Sequence, residues 1–412
     1  MSLFYHIIIG FVILVASPAI ALRMVFDLNF RRDFLKRFNG CKALKKLNGC
    51  LWIHAASVGE VKMAKVLISE LREKGEVRPI ALSTFTSAGF EQANKEGLEY
   101  VFRMPPDFPF WLNPVFDHLC PLILVIIEAE MWPSLLFGCK RRGIPVLLAN
   151  GRITQKSTER YKKVPFFFNW ISGNISFFSM RTQKDANRLL DLGVSPDKIS
   201  IDGNIKFDGL IPIINRSLVE GGESNWVVFG STRPGDEGPV MEAIVRLHKE
   251  YTKLNFVIAP RHLERVNELK ELIRNYEMEC QLHSSLDLKN SRLILLDRLG
   301  ELNDYYAKAC LAFVGGGFNP RFGGQNIIEP ASYGLPVVFG RYMSNFEEEA
   351  HMLIESGGGI EINNPGDLYD VLSRLLRNQE ERINRGKKAR ETVVKNRGAV
   401  EKTIELINRL AN

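Results

Sequence analysis

The sequence predicts an α/β protein made of two Rossmann-like halves, each built on a doubly wound parallel sheet. From residue 50 onward, short apolar runs alternate with amphipathic runs, as expected for strands separated by helices. One run, "PLILVII" at 121–127, is apolar throughout, which is typical of a strand buried on both faces of a sheet. The length of 412 residues suggests two or three domains, and 45% hydrophobic residues can fill their cores.

The first half contains four predicted strands, at residues 51–56, 79–84, 121–127 and 145–150. After the first strand, apolar residues recur with helical spacing over residues 61–71, and this helix is predicted to end at Gly75. A second helix, "SAGFEQANKEG", follows the second strand. The segment "YVFRMPPDFPFWLNPVF" contains four prolines and is predicted as a loop with short helical pieces.

The second half repeats this scheme, with predicted strands at 225–231, 255–260, 292–297, 311–316 and 335–340. Residues 210–225 form the predicted linker, and the last 35 or so residues form one or two long helices. The expected domains are therefore an apolar N-terminal helix at 1–22, a first Rossmann-like domain at 23–210 and a second at 211–412 that includes the terminal helices. We expect a cleft between the two lobes.

The N-terminus carries an apolar run, "LFYHIIIGFVILVASPAIAL" at 3–22, that is long enough to cross a bilayer as a helix. "AIA" at 19–21 resembles a signal-peptidase site, but the preceding "MSLFYH" lacks the Lys or Arg of a secretory signal. The positive-inside rule predicts an uncleaved anchor, or a helix inserted in the inner leaflet, with the body of the protein in the cytoplasm. The basic residues that follow, which would face anionic head groups, are Arg23, Arg31, Arg32, Lys36, Arg37, Lys42, Lys45 and Lys46.

Charge and cysteine content narrow the class of partner. The net charge of +7 favours an anionic partner, which is nucleic acid, an anionic lipid or a phosphorylated substrate. The six cysteines form no CxxC pair and suit no zinc site, so reduced thiols in a cytosolic compartment are expected. No Asp-x-Asp occurs, and no His pair has metal spacing, so neither a metal ion nor a cofactor is predicted. Helix dipoles and basic side chains must then stabilise a leaving phosphate.

Three acidic residues follow strands in the first half. "HAASVGE" contains a Ser-x-x-Glu capping box from Ser57 to Glu60, and Glu128 and Glu130 follow the strand at 121–127. Because ligands of open parallel sheets bind at the carboxyl ends of the strands, these acids predict a general-base site. The alternative is that Glu60 only caps a helix and that the other two cap or pair with arginines. At a helix N-terminus, Glu60 is expected to stay ionised and to be a weaker base.

Three loops of the second half have features of a phosphate site. "FGSTRPGDE" (229–237) and "APRH" (259–262) follow strands, and "VGGGFNPRFGGQNIIEP" (314–330) is a glycine-rich loop before a helix. The alternative for Asn326 and Glu329 is that they form only a helix cap. The candidate ligand-binding residues are Gly230, Ser231, Thr232, Arg261, His262, Gly316, Gly317, Asn326 and Glu329. Neither a Walker A motif nor a GxGxxG motif after the first strand is present, which disfavours an ATPase and an ordinary dehydrogenase.

These motifs together resemble a known family, the 3-deoxy-D-manno-octulosonic acid (Kdo) transferases. The motifs that occur in the family's order are "HAASVGE", "EAEMWP", "NGRIT", "GNIKFD", "GSTRPGDE", "APRH" and "GGQNIIEPASYGLPVVFG". The resemblance covers nearly the whole chain. It implies a GT-B fold, with two Rossmann-like domains facing a central cleft, and an inverting transfer of Kdo from CMP-Kdo to a lipid A precursor (lipid IVA) in lipopolysaccharide core biosynthesis. It also implies an enzyme on the cytoplasmic face of the inner membrane, without a nucleic-acid partner.

The resemblance also implies residue roles. Glu60 matches the catalytic base, and the residues on the acceptor or transition-state side are Ser57, Gly59, Glu128 and Glu130. The loops at 230–232, 261–262 and 315–329 match the CMP side, with Glu329 as a ribose partner, and Lys206 would meet the donor's carboxylate. Domain 23–210 would then bind the acceptor and domain 211–412 the donor. Arg233 and Gln325 depart from the family pattern, which has His at both positions.

Three questions stay open at this point. The segment "RYKKVPFFFNWISGNISFF" (160–178) combines basic and aromatic residues, so it lies either near the membrane and acyl chains or in a buried aromatic core. Another GT-B enzyme, a UDP-sugar transferase or epimerase, would share the two-lobed pattern. A two-lobed exported solute-binding protein would share it too, but would need an export signal.

Overall fold

The structure is a computed structural model, and it describes residues 2–39, 45–210, 225–285 and 291–411. The chain divides into two compact units. The first comprises Met1–Gly209 and Arg397–Asn412, and the second comprises Leu210–Asn396. The predicted linker at 210–225 lies almost wholly outside the described residues.

The first unit begins with two helices and continues as an α/β alternation. Its strands are β1 (Cys50–His54), β2 (Ile80–Thr84), β3 (Tyr100–Arg103), β4 (Pro121–Ile127), β5 (Val146–Gly151), β6 (Phe177–Met180) and β7 (Ile199–Ile201). Its helices up to this point are α1 (Ser2–Phe26), α2 (Leu28–Asn39), α3 (Val58–Glu73), α4 (Ser87–Lys95), α5 (Pro109–Leu119), α6 (Pro133–Arg141), α7 (Gln155–Lys162), α8 (Pro165–Ser172) and α9 (Gln183–Asp191).

The second unit has the same alternation. Its strands are β8 (Trp226–Thr232), β9 (Asn255–Pro260), β10 (Gln281–Leu282), β11 (Leu293–Leu295), β12 (Ala309–Val314), β13 (Val337–Gly340) and β14 (Gly359–Ile362). Its helices are α10 (Glu237–Glu250), α11 (Val266–Asn275), α12 (Leu302–Tyr306), α13 (Ile328–Ser332), α14 (Glu347–Ser356), α15 (Leu368–Arg377) and α16 (Gln379–Lys395). The last helix, α17 (Ala399–Ala411), belongs to the first unit.

Both sheets are parallel and doubly wound. The strand order of the first unit is β3-β2-β1-β4-β5-β6-β7, and that of the second is β10-β11-β9-β8-β12-β13-β14. The direction of winding therefore reverses between β1 and β4 in the first unit, and between β8 and β12 in the second. The crevice outside the carboxyl ends of the strands at such a reversal is the usual ligand site of this fold. The predicted fold class is confirmed.

Five short strands escaped the sequence analysis, namely β3, β6, β7, β10 and β14. They have two to four residues each and lie at or next to the sheet edges, where the apolar run is too short to stand out. The proline-rich segment predicted as a loop contains one of them, β3, and the regular helix α5. Pro109 is tolerated because it occupies the first turn of α5, where its missing N–H has no helical partner.

The C-terminal end of the chain differs from the expected boundary at 211–412. The apolar face of α17, including Ile404 and Ile407, is buried in the same core as residues of α3 and β4. The carboxylate of Asp208 accepts hydrogen bonds from the backbone N–H groups of Gly398 (2.6 Å) and Val400 (2.8 Å), at the start of α17. Sequence pattern shows that a terminal helix has an apolar face but not which core that face fills.

The aromatic segment at 160–178 is partly buried in the core and partly exposed. Phe168 and Phe178 are buried in the core of the first unit. Phe166 and Val164, at the start of α8, are exposed. The segment comprises the end of α7, the helix α8 with one exposed and one buried face, and the start of β6.

Helix α1 extends the predicted apolar segment from residue 22 to residue 26. Within the described residues it is the one helix long and apolar enough to cross a membrane, with a mean hydropathy of 2.2 over Ile9–Phe26. Near its start, the Tyr5 hydroxyl donates a 2.8 Å hydrogen bond to Asp107. After its end, the Arg37 guanidinium of α2 lies 4.4 Å from the ring centroid of Phe85. The start of α1 and the end of α2 therefore both contact the α/β part of the first unit.

Candidate active site

Glu60 lies in the first turn of α3, directly after β1 and next to the reversal of the first sheet. Ser57 is the N-cap, and its hydroxyl accepts a 3.4 Å bond from the Glu60 N–H. The Glu60 carboxylate accepts one hydrogen bond from the Ala56 N–H and one from the Ser57 hydroxyl, both at 2.7 Å. A standard capping box would use the Ser57 N–H instead. Glu60 therefore takes part in a capping interaction, but its backbone donor is one residue earlier than in the standard motif. The N–H of Ala56 and the hydroxyl of Ser57 together fix the orientation of its carboxylate.

The electrostatic environment raises the pKa of Glu60 above its ordinary value. Burial is the largest cause, because only 8% of the residue is exposed. The hydrogen bonds from Ser57 and Ala56 oppose this rise, and the negative charges of Glu128 and Glu130 add to it. The expectation that the helix N-terminus makes Glu60 a weaker base is wrong, because burial raises its pKa despite the local donors. Glu60 is a stronger proton acceptor than its helix position alone predicts.

Because β1 and β4 are neighbours in the sheet, Glu128 and Glu130 lie near enough to Glu60 for their charges to raise its pKa. Glu128 follows β4 in the left-handed region at φ 68°, which costs a non-glycine residue about 1–2 kcal/mol. Glu130 accepts a 2.6 Å hydrogen bond from the indole N–H of Trp132. In the part of the chain that the structure describes, neither carboxylate pairs with an arginine. The alternative role as an arginine partner finds no support there.

A cluster of neutral aromatic side chains, Trp132, Phe85 and His54, lies beside the acids. Trp132 contacts Phe85 edge-on, at 4.9 Å between ring centroids, and His54 at 6.0 Å. His54 is fully buried at the end of β1, and its Nδ1 lies 2.8 Å from the Ser83 hydroxyl. Burial lowers the pKa of His54 to about 4, so the imidazole is neutral at pH 7 and does not balance the carboxylates. Sequence reasoning placed His54 in a strand but saw no role for it.

Gly59 differs from most site glycines because packing does not require it. A Cβ at this position would meet only the Ser57 Oγ, at 3.9 Å, which is ordinary contact. The absence of a side chain leaves open space next to Glu60.

Asn150, in the "NGRIT" motif, binds the backbone of the segment that contains Ile205 and Lys206. Sequence reasoning gave no structure for that segment. It is buried at the end of β5 with φ 55°, and its side-chain oxygen accepts a 2.9 Å bond from the Ile205 N–H. Lys206 is the next residue, and its own N–H donates to Asn204 at 3.1 Å. Lys206 thus lies in the first unit, unlike the other candidate donor-binding residues.

In the second unit, the loops after β8 and β12 meet at the reversal of the sheet. Ser231 sits in the left-handed region at φ 55°. The carboxylate of Asp236, a residue that sequence reasoning missed, accepts hydrogen bonds from Arg233 N–H (2.8 Å) in one loop and Gly316 N–H (2.7 Å) in the other. Burial raises the pKa of Asp236. This residue ties the two predicted phosphate loops together.

The glycines of these loops are explained by the protein's own packing. A Cβ at Gly230 would lie 2.0 Å from the Tyr306 hydroxyl, and one at Gly317 would lie 2.6 Å from the Gly340 carbonyl oxygen. Gly316 has φ 80°, a conformation that favours glycine. Close approach of a ligand is therefore not needed to account for them.

Basic side chains gather after β8 and β9. Arg233 is hydrogen-bonded to His262 and lies with its guanidinium 5.1 Å from the Phe322 ring centroid. Arg261 is exposed, and its charge is near enough to help lower the pKa of Arg233, after burial as the main cause. The N–H of Arg261 donates to the carbonyl of Thr232 at 3.1 Å. Arg233, which departs from the family pattern, therefore joins a basic cluster suited to an anion.

The glycine-rich loop ends at a polar pair. Asn326 donates a 2.9 Å hydrogen bond to the Glu329 carboxylate, and its own oxygen accepts a 3.2 Å bond from the Ile328 N–H. The Asn326–Glu329 pair is therefore present just before α13, although the N-cap itself is Ile327, which has no side-chain cap. Gln325, the other departure from the pattern, lies against Gly316 in the same loop.

Two doubly wound units in one chain, one with acids at its reversal and one with a basic, glycine-rich reversal, define the GT-B class. Two solved structures share this fold. A UDP-GlcNAc 2-epimerase from Neisseria meningitidis matches with a TM-score of 0.61 at 15% identity, over 88% of this chain and 100% of that one. MurG from Acinetobacter baumannii matches with a TM-score of 0.58 at 13% identity, over 88% and 99%. At these identities the likeness shows the fold alone.

Sequence comparison identifies the family within this class. The model of the 3-deoxy-D-manno-octulosonic-acid transferase (kdotransferase) family matches residues 32–209. A 3-deoxy-D-manno-octulosonic acid transferase of Haemophilus influenzae is 31% identical over 369 residues, which span 87% of this chain and 86% of that protein. The chain belongs to the Kdo transferase family and is a glycosyltransferase.

Proposed function

We propose that this chain transfers Kdo from CMP-Kdo to a lipid A precursor, lipid IVA, with inversion, and that Glu60 is the general base. The observation that carries the proposal is the Glu60 carboxylate. It is buried at the reversal of the first sheet, oriented by two donors, and has a raised pKa. A structural cap alone does not need two further carboxylates beside it.

In the proposed step, an acceptor hydroxyl attacks the anomeric carbon of Kdo. The new carbon–oxygen bond forms as the bond to the CMP phosphate breaks, the hydroxyl proton passes to Glu60, and CMP leaves with the electron pair. The raised pKa favours the arrival of this proton. Ser57 orients the base, and Gly59 leaves room for the acceptor. Burial, with the charges of Glu128 and Glu130, keeps Glu60 basic.

On the donor side, we assign the CMP phosphate to the basic cluster of Arg233, Arg261 and His262 and to the loops that Asp236 ties together. Cationic side chains and oriented backbone N–H groups stabilise the developing phosphate charge. Glu329 would accept from a ribose hydroxyl, and Lys206 would pair with the Kdo carboxylate. The remaining donor contacts in this proposal are Gly230, Ser231, Thr232, Gly316, Gly317 and Asn326. A net charge of +7 agrees with anionic substrates on both sides.

The alternatives are weaker. A UDP-sugar enzyme would share the fold, but identity to UDP-sugar epimerases is only 15%, against 31% to a Kdo transferase. An exported solute-binding protein would not belong to this family.

The test is incubation of the purified protein with CMP-Kdo and a lipid A precursor, followed by mass spectrometry of the lipid. We expect a mass increase of one or more Kdo units. A parallel incubation with UDP-N-acetylglucosamine is the control, and we expect no change of the lipid or the nucleotide sugar. Turnover of the UDP-sugar without Kdo transfer would replace this proposal by the epimerase alternative.

We further propose that α1 holds the enzyme on the cytoplasmic face of the inner membrane as a helix inserted in one leaflet, without crossing. Its apolar side chains are exposed, among them Phe11, Leu14 and Phe26. A spanning helix has its ends on opposite sides of ~30 Å of hydrocarbon. Here Tyr5 contacts Asp107, and about ten residues of chain, or ~15 Å of helix, separate the end of α1 from the contact of Arg37. Both ends of α1 are therefore held near the same domain.

Protease treatment of spheroplasts tests this topology. An epitope tag at the N-terminus should be protected, because the start of α1 stays on the cytoplasmic side. The same tag at the C-terminus is the matched control and should also be protected. Loss of the N-terminal tag alone would mean that α1 spans the membrane, and a protein that is wholly soluble at low salt would remove the membrane role of α1.

A further inference from the structure

An open cavity of about 270 Å³ lies next to the acids of the first unit. It sits at the carboxyl ends of β4, β5 and β6, under α7, and Glu128 forms part of its wall. Apart from Glu128, none of the residues assigned a role above lines it. Its other lining residues are Ala129, Met131, Leu148, Arg152, Ile153, Thr154, Ser157, Tyr161, Phe178, Met180 and Leu189.

The floor of the cavity is apolar and its rim is polar. Leu148, Phe178 and Met180 are almost fully buried and offer only carbon and sulfur atoms. Polar groups stand at the rim, where the hydroxyls of Thr154 and Ser157 are hydrogen-bonded to each other at 2.9 Å. A sugar ring pushed onto this floor would lose its hydrogen bonds to water without replacement. A hydrocarbon chain would lose nothing, and the flexible thioethers of methionine adapt to its shape.

Arg152 supplies a positive charge at the rim. Among the residues that the structure describes, its guanidinium has no hydrogen bond and no ion pair, although Glu128 lines the same cavity. An arginine that is not engaged by its neighbours is available to a ligand anion, and its planar fork suits phosphate.

We propose that this cavity receives part of one acyl chain of the acceptor lipid, with Arg152 pairing with an acceptor phosphate at the rim. The inference rests on the proposed function and adds how the acceptor is recognised. The cavity is slightly smaller than the ~300–1,000 Å³ of ordinary ligand pockets, so it fits a segment of chain and neither a whole lipid nor a nucleotide. Its position beside Glu128 brings the chain near the base while the phosphate stays outside the apolar floor.

Two substitutions test the two halves of the subsite in kinetics with CMP-Kdo. Ser157→Phe fills the rim, and we expect KM for the acylated acceptor to rise about tenfold. This corresponds to the loss of roughly two buried methylene groups of the acyl chain. KM for a chemically deacylated acceptor and for CMP-Kdo should stay within about twofold. Arg152→Ala should raise KM about tenfold or more for the phosphorylated acceptor and little for its dephosphorylated form.

Lys156 provides matched controls because it is exposed on the same helix and does not line the cavity. Lys156→Phe and Lys156→Ala should leave both acceptors unaffected. If Ser157→Phe does not fold, Ser157→Leu makes the same test with a smaller side chain. Equal effects on acylated and deacylated acceptors would overturn the subsite while leaving Kdo transfer intact. A wild-type protein that transfers no Kdo to either acceptor would instead overturn the proposed function.

Discussion

The two units of this chain have the same doubly wound topology, but different chemistry lies at the point where each sheet reverses. In the first unit the strands β1 and β4 lead into three carboxylates, Glu60, Glu128 and Glu130. In the second unit β8 and β12 lead into glycine-rich loops next to Arg233 and Arg261. The same position in the fold therefore carries carboxylates in one unit and basic, glycine-rich loops in the other.

The comparison extends to the backbone. Each reversal carries a non-glycine residue in the left-handed region, Glu128 in one unit and Ser231 in the other. The glycines differ, however. Gly230 and Gly317 are required by close contacts within the second unit, whereas nothing in the first unit packs against Gly59. A glycine that packing does not explain is the better candidate for direct contact with a substrate.

The largest expected effect is the loss of turnover in Glu60→Gln. The amide oxygen can still accept from Ala56, and the Ser57 hydroxyl can accept from the amide N–H, so the helix cap and the melting temperature should be preserved. Glutamine cannot accept the proton, and kcat should fall by roughly 10²- to 10⁴-fold. Single-turnover kinetics with CMP-Kdo measures this. Near-normal kcat would reduce Glu60 to a cap and direct the search to Glu128 and Glu130.

The second expected effect is on the pH dependence of kcat. Glu60 must be ionised to act as base, and its pKa lies above the ordinary value of 4.5, so kcat should fall as the pH drops through that raised pKa. Glu130→Gln removes a neighbouring charge and should move this acid limb to lower pH. For stability, a raised carboxyl pKa stabilises the fold below the unfolded pKa, and that stabilisation is lost as the pH rises through the folded pKa. An acid limb unmoved by Glu130→Gln would contradict the coupling.

The third prediction concerns Asp236, which joins the two loops at the reversal of the second sheet. Asp236→Ala leaves the N–H groups of Arg233 and Gly316 without their acceptor, which costs about 1–3 kcal/mol for the buried N–H of Gly316 and less for the half-buried N–H of Arg233. We expect CMP binding, measured by calorimetry, to weaken at least tenfold as the two loops separate. Asp304→Ala, at an exposed acid of the same unit, is the control and should bind CMP normally. Normal CMP affinity in Asp236→Ala would exclude these loops as the donor site.

Alanine substitutions at one glycine of each unit should have smaller and opposite consequences. One should change stability and the other should change kinetics. Gly317→Ala places a Cβ against the backbone of Gly340 and should lower stability by about 1–3 kcal/mol. Gly59→Ala meets no close neighbour, so its melting temperature should stay the same while KM for the acceptor rises. Thermal melts and steady-state kinetics on both variants check this. Unchanged kinetics in Gly59→Ala would leave that glycine unexplained.

The smallest expected effect is that of chelation. Within the described ranges, no cluster of three or more His, Cys, Asp or Glu is arranged to hold a metal ion. Because basic side chains and backbone N–H groups are assigned the leaving phosphate, turnover in EDTA should stay within about twofold of the untreated rate. Activity restored only by Mg²⁺ or Mn²⁺ would assign leaving-group stabilisation to a metal instead.

Sequence pattern alone was sufficient for the alternation of long strands and helices, and for the placement of Glu60, Glu128 and Glu130 after strands of the first sheet. Apolar periodicity marks buried strands such as β4, and the carboxyl ends of parallel strands lie at one edge of a sheet. Residues that directly follow such strands therefore lie at one edge of the sheet, and the adjacency of β1 and β4 in the strand order then brings these acids together.

Only the tertiary structure decided how those residues behave. The raised pKa of Glu60 comes from burial under neighbouring elements, and the tie made by Asp236 joins residues 80 positions apart in sequence. The core that α17 fills and the pairing of the short edge strands depend likewise on distant partners. Periodicity records how one segment divides between core and solvent, whereas burial, electrostatics and packing depend on which other segments lie against it.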